Sequence, residues 1–401
     1  MRILSSIVFC ILSILLAHAG NTKQVFHSPD NSVGFSVYEV NGQLKYEVSY
    51  KGKPVILESC LGIDRWKDNM EIERIDSVSV NQDWYPVYGE RSVVNDCYKG
   101  YTYTLKGKGR GDKLALIVRI YNSGVGFRYK YLHGSYLRIT EEFTTFTVPE
   151  NTYCWFAPFA QAEHKRMLVK DWPGEAERPL TLQLENGLYA SLAEAEMVDY
   201  SRTKFVVRKG ESNVIRCKMY DAVEDIAPFE PPWRVVMIAE SPKDLINNND
   251  LILNLNKPCQ IEDTSWIKPG RIIRTVSLTT DGAKKVVDFA VKRGLNYIHF
   301  DSGWYGSEIS KESDPRKSDV DPQRCPVNDL DMPEVVRYAK SKGVGVWVYV
   351  NQRALSAYLD EILPLYESWG IAGIKFGFVH VGSFRWTTWL HDAVRSVQNI
   401  I

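Results

Sequence analysis

Val344-Gly345-Val346-Trp347-Val348-Tyr349-Val350 is an unbroken apolar run that stops at Asn351. A strand with one wet face alternates polar with apolar residues, whereas a continuous run belongs to a parallel sheet covered by helices. The flanking sequence repeats the pattern. Upstream, a strand at Arg274–Leu278 leads to Asp281 as a helix N-cap, then Val286, Val287, Phe289 and Ala290, with Gly294 as the stop. Tyr297–Phe300 follows as a strand ending in Asp301, and a helix starts at Asp331 with Pro333 in its first turn and Gly343 closing it. Downstream, Leu355–Trp369 reads as a helix broken or kinked by Pro364 and stopped by Gly370, Ile374–Val379 as the fourth strand, and Trp386–Ile401 as the fourth helix. Strand and helix therefore alternate four times.

Four such units make either the first half of a (β/α)8 TIM barrel or a small open doubly wound sheet. Two observations favour the barrel. Thr279-Thr280-Asp281 stands where an open nucleotide-binding sheet carries a glycine-rich phosphate turn. Polar and aromatic residues also gather at strand C-terminal ends, where barrel enzymes place their chemistry. The pattern ends at Ile400-Ile401 inside a helix with no stop signal, which is expected of a fragment.

Before this region the texture is β. Leu44–Val48, Leu114–Tyr121, Phe205–Val207, Val214–Met219 and Val235–Ile238 are alternating or β-rich, and Asn41-Gly42, Asn122-Ser123-Gly124 and Asn186-Gly187 are turn signals between them. The expected organisation is an antiparallel β-sandwich over residues 20–250, a linker over 251–270 that is neither strand nor helix, and the partial barrel over 271–401. The fold class is thus multidomain, β followed by α/β.

The 401 residues carry 49 Lys+Arg against 49 Asp+Glu, a balance that argues against a nucleic-acid partner. Eleven Trp, 22 Tyr and 15 Phe lean towards ligands with apolar faces and many hydroxyls, such as sugars. Met1-Arg2, the apolar Ile3–Leu16 and Ala17-His18-Ala19 form the charged, apolar and small regions of a signal peptide over residues 1–19. A secreted or periplasmic protein without a transmembrane segment after cleavage is expected. Cys10 would leave with the signal, and Cys60, Cys97, Cys154, Cys217, Cys259 and Cys325 are too scattered for a zinc or redox motif, so free thiols are the expectation.

Asp301 opens Asp301-Ser302-Gly303-Trp304 at a strand end. Its carboxylate could bind sugar hydroxyls while the Trp304 indole stacks on the ring, or the segment could be an Asx turn. Lys375, alone in Gly373-Ile374-Lys375-Phe376-Gly377-Phe378, needs an anionic or hydroxyl partner if buried, either a neighbouring carboxylate or a substrate. Asn351 could bind a hydroxyl or cap the next segment. Trp266 could wall the mouth of a pocket or pack the linker, and His380 reads as structural. Glu194 and Glu196, two apart on a strand, would face one side, where they must be solvated, salt-bridged or holding a cation. Glu163-His164-Lys165-Arg166 reads as surface. Glycoside hydrolysis needs two carboxylates about 5–5.5 Å apart for retention or 6.5–9.5 Å for inversion. Only Asp301 is offered convincingly, with Gly377 at the fourth strand end. No Gly-x-Ser-x-Gly or His-Glu-x-x-His motif is present.

Four stretches resemble glycoside hydrolase family 97. They are Val118-Arg119-Ile120-Tyr121-Asn122-Ser123-Gly124-Val125-Gly126-Phe127-Arg128-Tyr129, Pro232-Trp233-Arg234-Val235-Val236, Trp266-Ile267-Lys268-Pro269-Gly270 and Gly373-Ile374-Lys375-Phe376-Gly377-Phe378-Val379. The resemblance implies an exported, calcium-dependent α-glycosidase with an N-terminal sandwich and a (β/α)8 barrel. Lys375–Ser383 is most similar to the retaining α-galactosidase branch, with α-glucosidase the alternative within the family. An α-galactoside or oligosaccharide would be the substrate. By position, Glu194 looks like the calcium ligand supplied by the sandwich, although Ala193 departs from the His of related glucosidases. Asp301, Trp304, Asn351, Lys375 and Trp266 would recognise sugar. The resemblance places the nucleophile and acid/base beyond Ile401. A different class of reading is a non-catalytic remnant with a sugar-binding sandwich.

Overall fold

The computed structural model describes residues 13–15, 23–107, 113–134 and 136–398. Apart from Ser13–Leu15, a short strand beside Ile75–Ser77, the expected signal segment lies outside the described residues, as does the chain end after Gln398. The chain divides into two compact units, Met1–Cys259 with Gly382–Phe384, and Gln260–Val381 with Arg385–Ile401. Among the described residues, no helix is long and apolar enough to cross a membrane.

The first unit is a β-sandwich. One antiparallel sheet runs, in spatial order, through Met70–Trp84, Val94–Gly107, Lys113–Tyr121, Gly124–Tyr131, Trp233–Ala239, Tyr189–Ala195, Leu180–Gln183, Tyr153–Phe156 and Lys165–Leu168. The other contains Thr203–Val206, Val214–Met219, Thr145–Thr147, Lys53–Leu61, Gln43–Tyr50, Val33–Val40 and Val25–His27. Inward side chains of both sheets meet in one core, where Phe127 of the first lies 5.1 Å, ring to ring, from Tyr46 and 6.4 Å from Phe146 of the second. Asn41 and Gly42, at φ 52° and 81°, take the paired left-handed conformations that a two-residue hairpin turn demands.

The linker expectation fails at its start. Asp250–Asn254 is helical, following the short helix Pro242–Asn247. Leu251 and Leu255 bury against Trp233, Val235 and Met237 on the outer face of the first sheet. Apolar residues at this spacing close that face, and the Pro-rich character of the stretch begins only after them.

The second unit has four parallel strands in sequence order, β1 (Ile272–Thr275), β2 (Tyr297–Phe300), β3 (Gly345–Asn351) and β4 (Gly373–Gly377). They alternate with α1 (Thr280–Arg293), α2 (Met332–Ser341), α3 (Gln352–Trp369) and α4 (Phe384–Gln398). The capping residue of α1 is Thr279, not Asp281: its hydroxyl accepts from Gly282 N at 3.2 Å, leaving Asp281 in the first turn. Asp331 caps α2 as expected, accepting from Glu334 N at 2.9 Å. Helix α3 runs unbroken through Pro364.

Only one side of this sheet is apolar. Ile298, Phe300, Val346, Val348 and Val350 pack with Val287, Ala290, Val335, Val336 and Leu355 of the helices. By strand alternation the other side carries Arg274, Tyr297, His299, Trp347, Tyr349 and Lys375. Glycines make room for its rings. A Cβ on Gly345 would stand 2.6 Å from the Tyr297 ring, on Gly373 2.4 Å from Trp347, and on Gly377 1.7 Å from Tyr349. Each aromatic ring leans over the glycine of the next strand.

Candidate functional site

Two clusters carry chemistry, one in each unit. In the second unit Asp301 follows β2 and is bracketed by cations. Lys375 Nζ lies 3.4 Å from its Oδ1, Arg274 Nε lies 3.3 Å from its Oδ2, and Ser302 N donates to Oδ1 at 3.1 Å. The Asx contact and the ion pair thus coexist. Burial alone would raise this carboxyl, but Lys375, the Ser302 N–H and Arg274 outweigh it and hold it below the usual carboxylate value. Asp301 is therefore ionised at neutral pH, suited to accept from hydroxyls and unsuited to act as a general acid. Lys375 is half exposed rather than buried, its side chain projecting from the face without helices.

His299 lies one pleat before Asp301 and is 8% exposed. Burial, then Lys375 and Arg274, lower its pKa against the opposing pull of Asp301, so the ring is neutral at pH 7. Its Nε2, like Trp347 Nε1, is buried with no hydrogen-bond partner among the described residues. Tyr349 donates to Glu308 Oε2 at 2.7 Å, and burial with that carboxylate keeps the phenol protonated.

Two expected sugar contacts are corrected here. Trp304 is fully buried: its indole N–H donates to the Tyr349 carbonyl at 2.8 Å and its ring meets Tyr305 edge-on, so no face is left for a sugar. Asn351 is 4% exposed and caps α3, with Oδ1 accepting from Ala354 N at 3.0 Å while Nδ2 donates to the Glu308 carbonyl at 2.7 Å. Both side chains build the strand-end loop instead of lining it. Trp266 is half-buried in a turn closed by Ile267 N on the Thr264 carbonyl at 3.1 Å.

In the first unit, Glu194 and Glu196 do not share a face. The strand stops at Ala195, and Glu196 takes φ 52°, which breaks the alternation. Glu194 points inward, whereas Glu196 turns to the outer face, where it accepts from Arg128 at 2.7 Å and Trp233 Nε1 at 3.3 Å and pairs with Lys257 at 3.1 Å. Glu194 is 3% exposed, its Oε1 accepting from Thr203 Oγ1 at 2.6 Å and from Arg234, its Oε2 from Arg178. Arg234 also forks onto Glu142, with Nε 2.8 Å from Oε1 and the second nitrogen on Oε2. Burial lowers the Arg178 pKa, as do Arg202 and Arg234, to about 9, so it remains charged at pH 7.

Calcium takes six to eight oxygen ligands. Glu194 offers oxygens already engaged by two guanidiniums and a hydroxyl, and among the described residues no group of three His, Cys, Asp or Glu is placed to hold a metal. The residues present do not build that ion's site, and no step below runs through it. The six described cysteines are free, with Cys154 and Cys217 buried.

Reading the sequence missed Arg274, His299, Tyr349, Glu142, Arg178 and Arg234. His299 and Arg234 did carry a signal, each being a lone polar residue in an otherwise apolar strand, as Lys375 is. Arg178 and Glu142 lie outside regular strands, and nothing in their neighbours' spacing marks them.

A family model described as Glycosyl-hydrolase 97 N-terminal matches residues 26–258, and one described as Glycoside hydrolase 97 matches 270–399. The chain is 25% identical to a probable retaining alpha-galactosidase of Streptomyces bingchenggensis, over 92% of this chain and 60% of that protein. It is 22% identical to a retaining alpha-galactosidase of Bacteroides thetaiotaomicron, over 94% and 63%. The chain thus spans under two thirds of the length of these relatives. Among solved structures, a Glycoside Hydrolase Family 97 enzyme from Pseudoalteromonas sp. strain K8 superposes with TM-score 0.82 at 24% identity, covering 94% of this chain and 65% of that one. A beta-arabinopyranosidase superposes with TM-score 0.80 at 19% identity, over 94% and 65%. With the two family models matching residues 26–258 and 270–399, well over half of the sequence, the chain belongs to glycoside hydrolase family 97.

Proposed function

We propose that this protein is an exported hydrolase of α-linked hexosides, with α-galactosides preferred to α-glucosides and configuration retained, and that its four parallel strands are the opening half of a (β/α)8 barrel. The observation that carries the reading is the ionised Asp301 held between Lys375 and Arg274 at the strand ends, on the face without helices, in a family 97 chain. The two alpha-galactosidase relatives support the galactoside preference, and the charged, apolar and small succession of residues 1–19 supports export.

The chain's own residues divide the work of recognition. Asp301 accepts from paired sugar hydroxyls, and Lys375 donates to the same group of oxygens. Lys375 and Arg274 keep the carboxylate ionised, and the Ser302 N–H holds it in place. Tyr297, Trp347 and Tyr349 form the aromatic floor, flattened by the glycines beneath their rings. Glycoside cleavage requires two further carboxyl roles, proton donation to the leaving oxygen and attack on the anomeric carbon. Asp301 is too acidic for the first, and no described residue is assigned the second.

The test uses the protein expressed from its whole reading frame with 4-nitrophenyl α-galactoside and α-glucoside. A kcat/KM preference for the galactoside of at least about 10-fold is expected. Asp301→Ala and Lys375→Met should each lower kcat/KM by about 10–100-fold, the cost of one charged hydrogen bond to the substrate. A preference for the glucoside replaces the substrate class, whereas turnover of neither sugar supports the non-catalytic alternative.

A further inference from the structure

We propose that Arg178 is the resident counter-cation of Glu194, so that in this chain Glu194 is the middle link of a buried charge chain, Glu142–Arg234–Glu194–Arg178, and not a metal ligand. The links are direct. Arg234 forks onto Glu142 and reaches Glu194 with its remaining nitrogen, and Arg178 Nε donates to the other oxygen of Glu194. Within these four links two carboxylates face two guanidiniums, and Arg178, 15% exposed, continues at 3.7 Å to Glu177, which pairs with Arg202 and Lys204 at 3.3 Å each, so Glu194 has its counter-charges without any ion. Glu142, Arg234 and Glu194 are 1%, 2% and 3% exposed, where an uncompensated charge is not tolerated.

The arrangement follows from the strands. Glu194 and Arg234 are directly opposite in register on neighbouring strands. Thr203, on a strand of the other sheet, donates to the same oxygen of Glu194. Arg178 enters from the segment between Glu175–Ala176 and Leu180–Gln183. The chain thereby ties the two sheets together at this end of the sandwich. Glu196, two residues on, does not join Glu194: the left-handed turn there sends its carboxylate to the opposite face. A divalent cation at Glu194 would meet one carboxylate and two guanidiniums, the wrong donor set for a hard ion.

Thermal unfolding of the full chain tests this, with Glu194→Gln, Arg178→Met and the double variant, each with millimolar calcium or a chelator. Each single variant should lower Tm by about 6–12 °C: Glu194→Gln leaves Arg178 and Arg234 with one carboxylate fewer, and Arg178→Met leaves Glu194 on Arg234 and Thr203 alone. The double variant should lose no more than either single, the mark of a coupled pair. Calcium should leave the wild-type Tm unchanged. Additive losses in the double variant overturn the pairing. A calcium-dependent rise in the wild-type Tm that disappears in Glu194→Gln overturns the proposal as a whole. Should either single variant fail to fold, Glu194→Asp and Arg178→Lys replace them: a loss of Tm with calcium still silent is expected, and a calcium-dependent gain refutes.

Discussion

Replacing Arg234 with Met removes the best-connected charge of the sandwich core. Its guanidinium is 2% exposed and is the partner of Glu142 on two nitrogens and of Glu194 on the third. Glu194 would keep Arg178 and Thr203, so the cost falls mainly on Glu142, left as a buried carboxylate without its cation. Breaking a buried pair from one side costs about 3–5 kcal/mol, and with one carboxylate orphaned we expect about 4 kcal/mol at pH 7.5. For a domain of this size that is a fall in Tm of about 8–15 °C. In the wild type the paired Arg234 has its pKa raised; the associated stability is fully present below the unfolded arginine value and is lost only as pH rises through the folded one, far above the assay range. Circular dichroism melts at pH 7.5, with Arg234→Met/Glu142→Met as a second variant, complete the experiment. The double variant exchanges ions for apolar packing and should recover much of the loss. A deficit under about 1 kcal/mol, or a double variant no more stable than the single one, refutes the reasoning.

Trp304→Ala should destabilise the second unit by about 3–5 kcal/mol in urea melts, because the indole is enclosed by core neighbours and bonded to the Tyr349 carbonyl; an unchanged melt would put the ring back in play as a sugar platform. Thr279→Ala should cost about 1 kcal/mol by the same measurement, Asp281 being unable to replace the cap, whereas Thr279→Ser should be near neutral. With an aromatic disulfide reagent at pH 8, exposed Cys259 should react at once. Cys154, whose thiol is pushed up to about 12 by burial, and Cys217, raised further by burial and Glu142, should react only on unfolding. Early reaction of either would contradict the packing around it.

The architecture was legible because it rests on period. Unbroken apolar strands between 3.6-period helices require parallel pairing, and alternating runs parted by Asn-Gly turns require antiparallel hairpins. The site was less legible because a residue type at a strand end has two uses with the same spacing. Asn351 would stand at the end of β3 whether it met a hydroxyl or capped α3, and only its contacts with Ala354 and Glu308 separate the two. Trp304 follows the same logic: an aromatic residue beside a strand-end carboxylate is a stacking platform if the loop leaves it open and core if the loop folds over it, and the Tyr305 and Tyr349 contacts decide. The two glutamates show the sharper limit. Alternation predicts a shared face only while the backbone stays extended, and one left-handed residue at position 196 reverses the prediction. Glu194 is then committed to arginines contributed from positions 178 and 234, far from it in sequence. A lone charge within an apolar strand is readable as a demand for a partner; which partner answers is a property of the tertiary fold, and it decides whether the same carboxylate holds a sheet together or an ion.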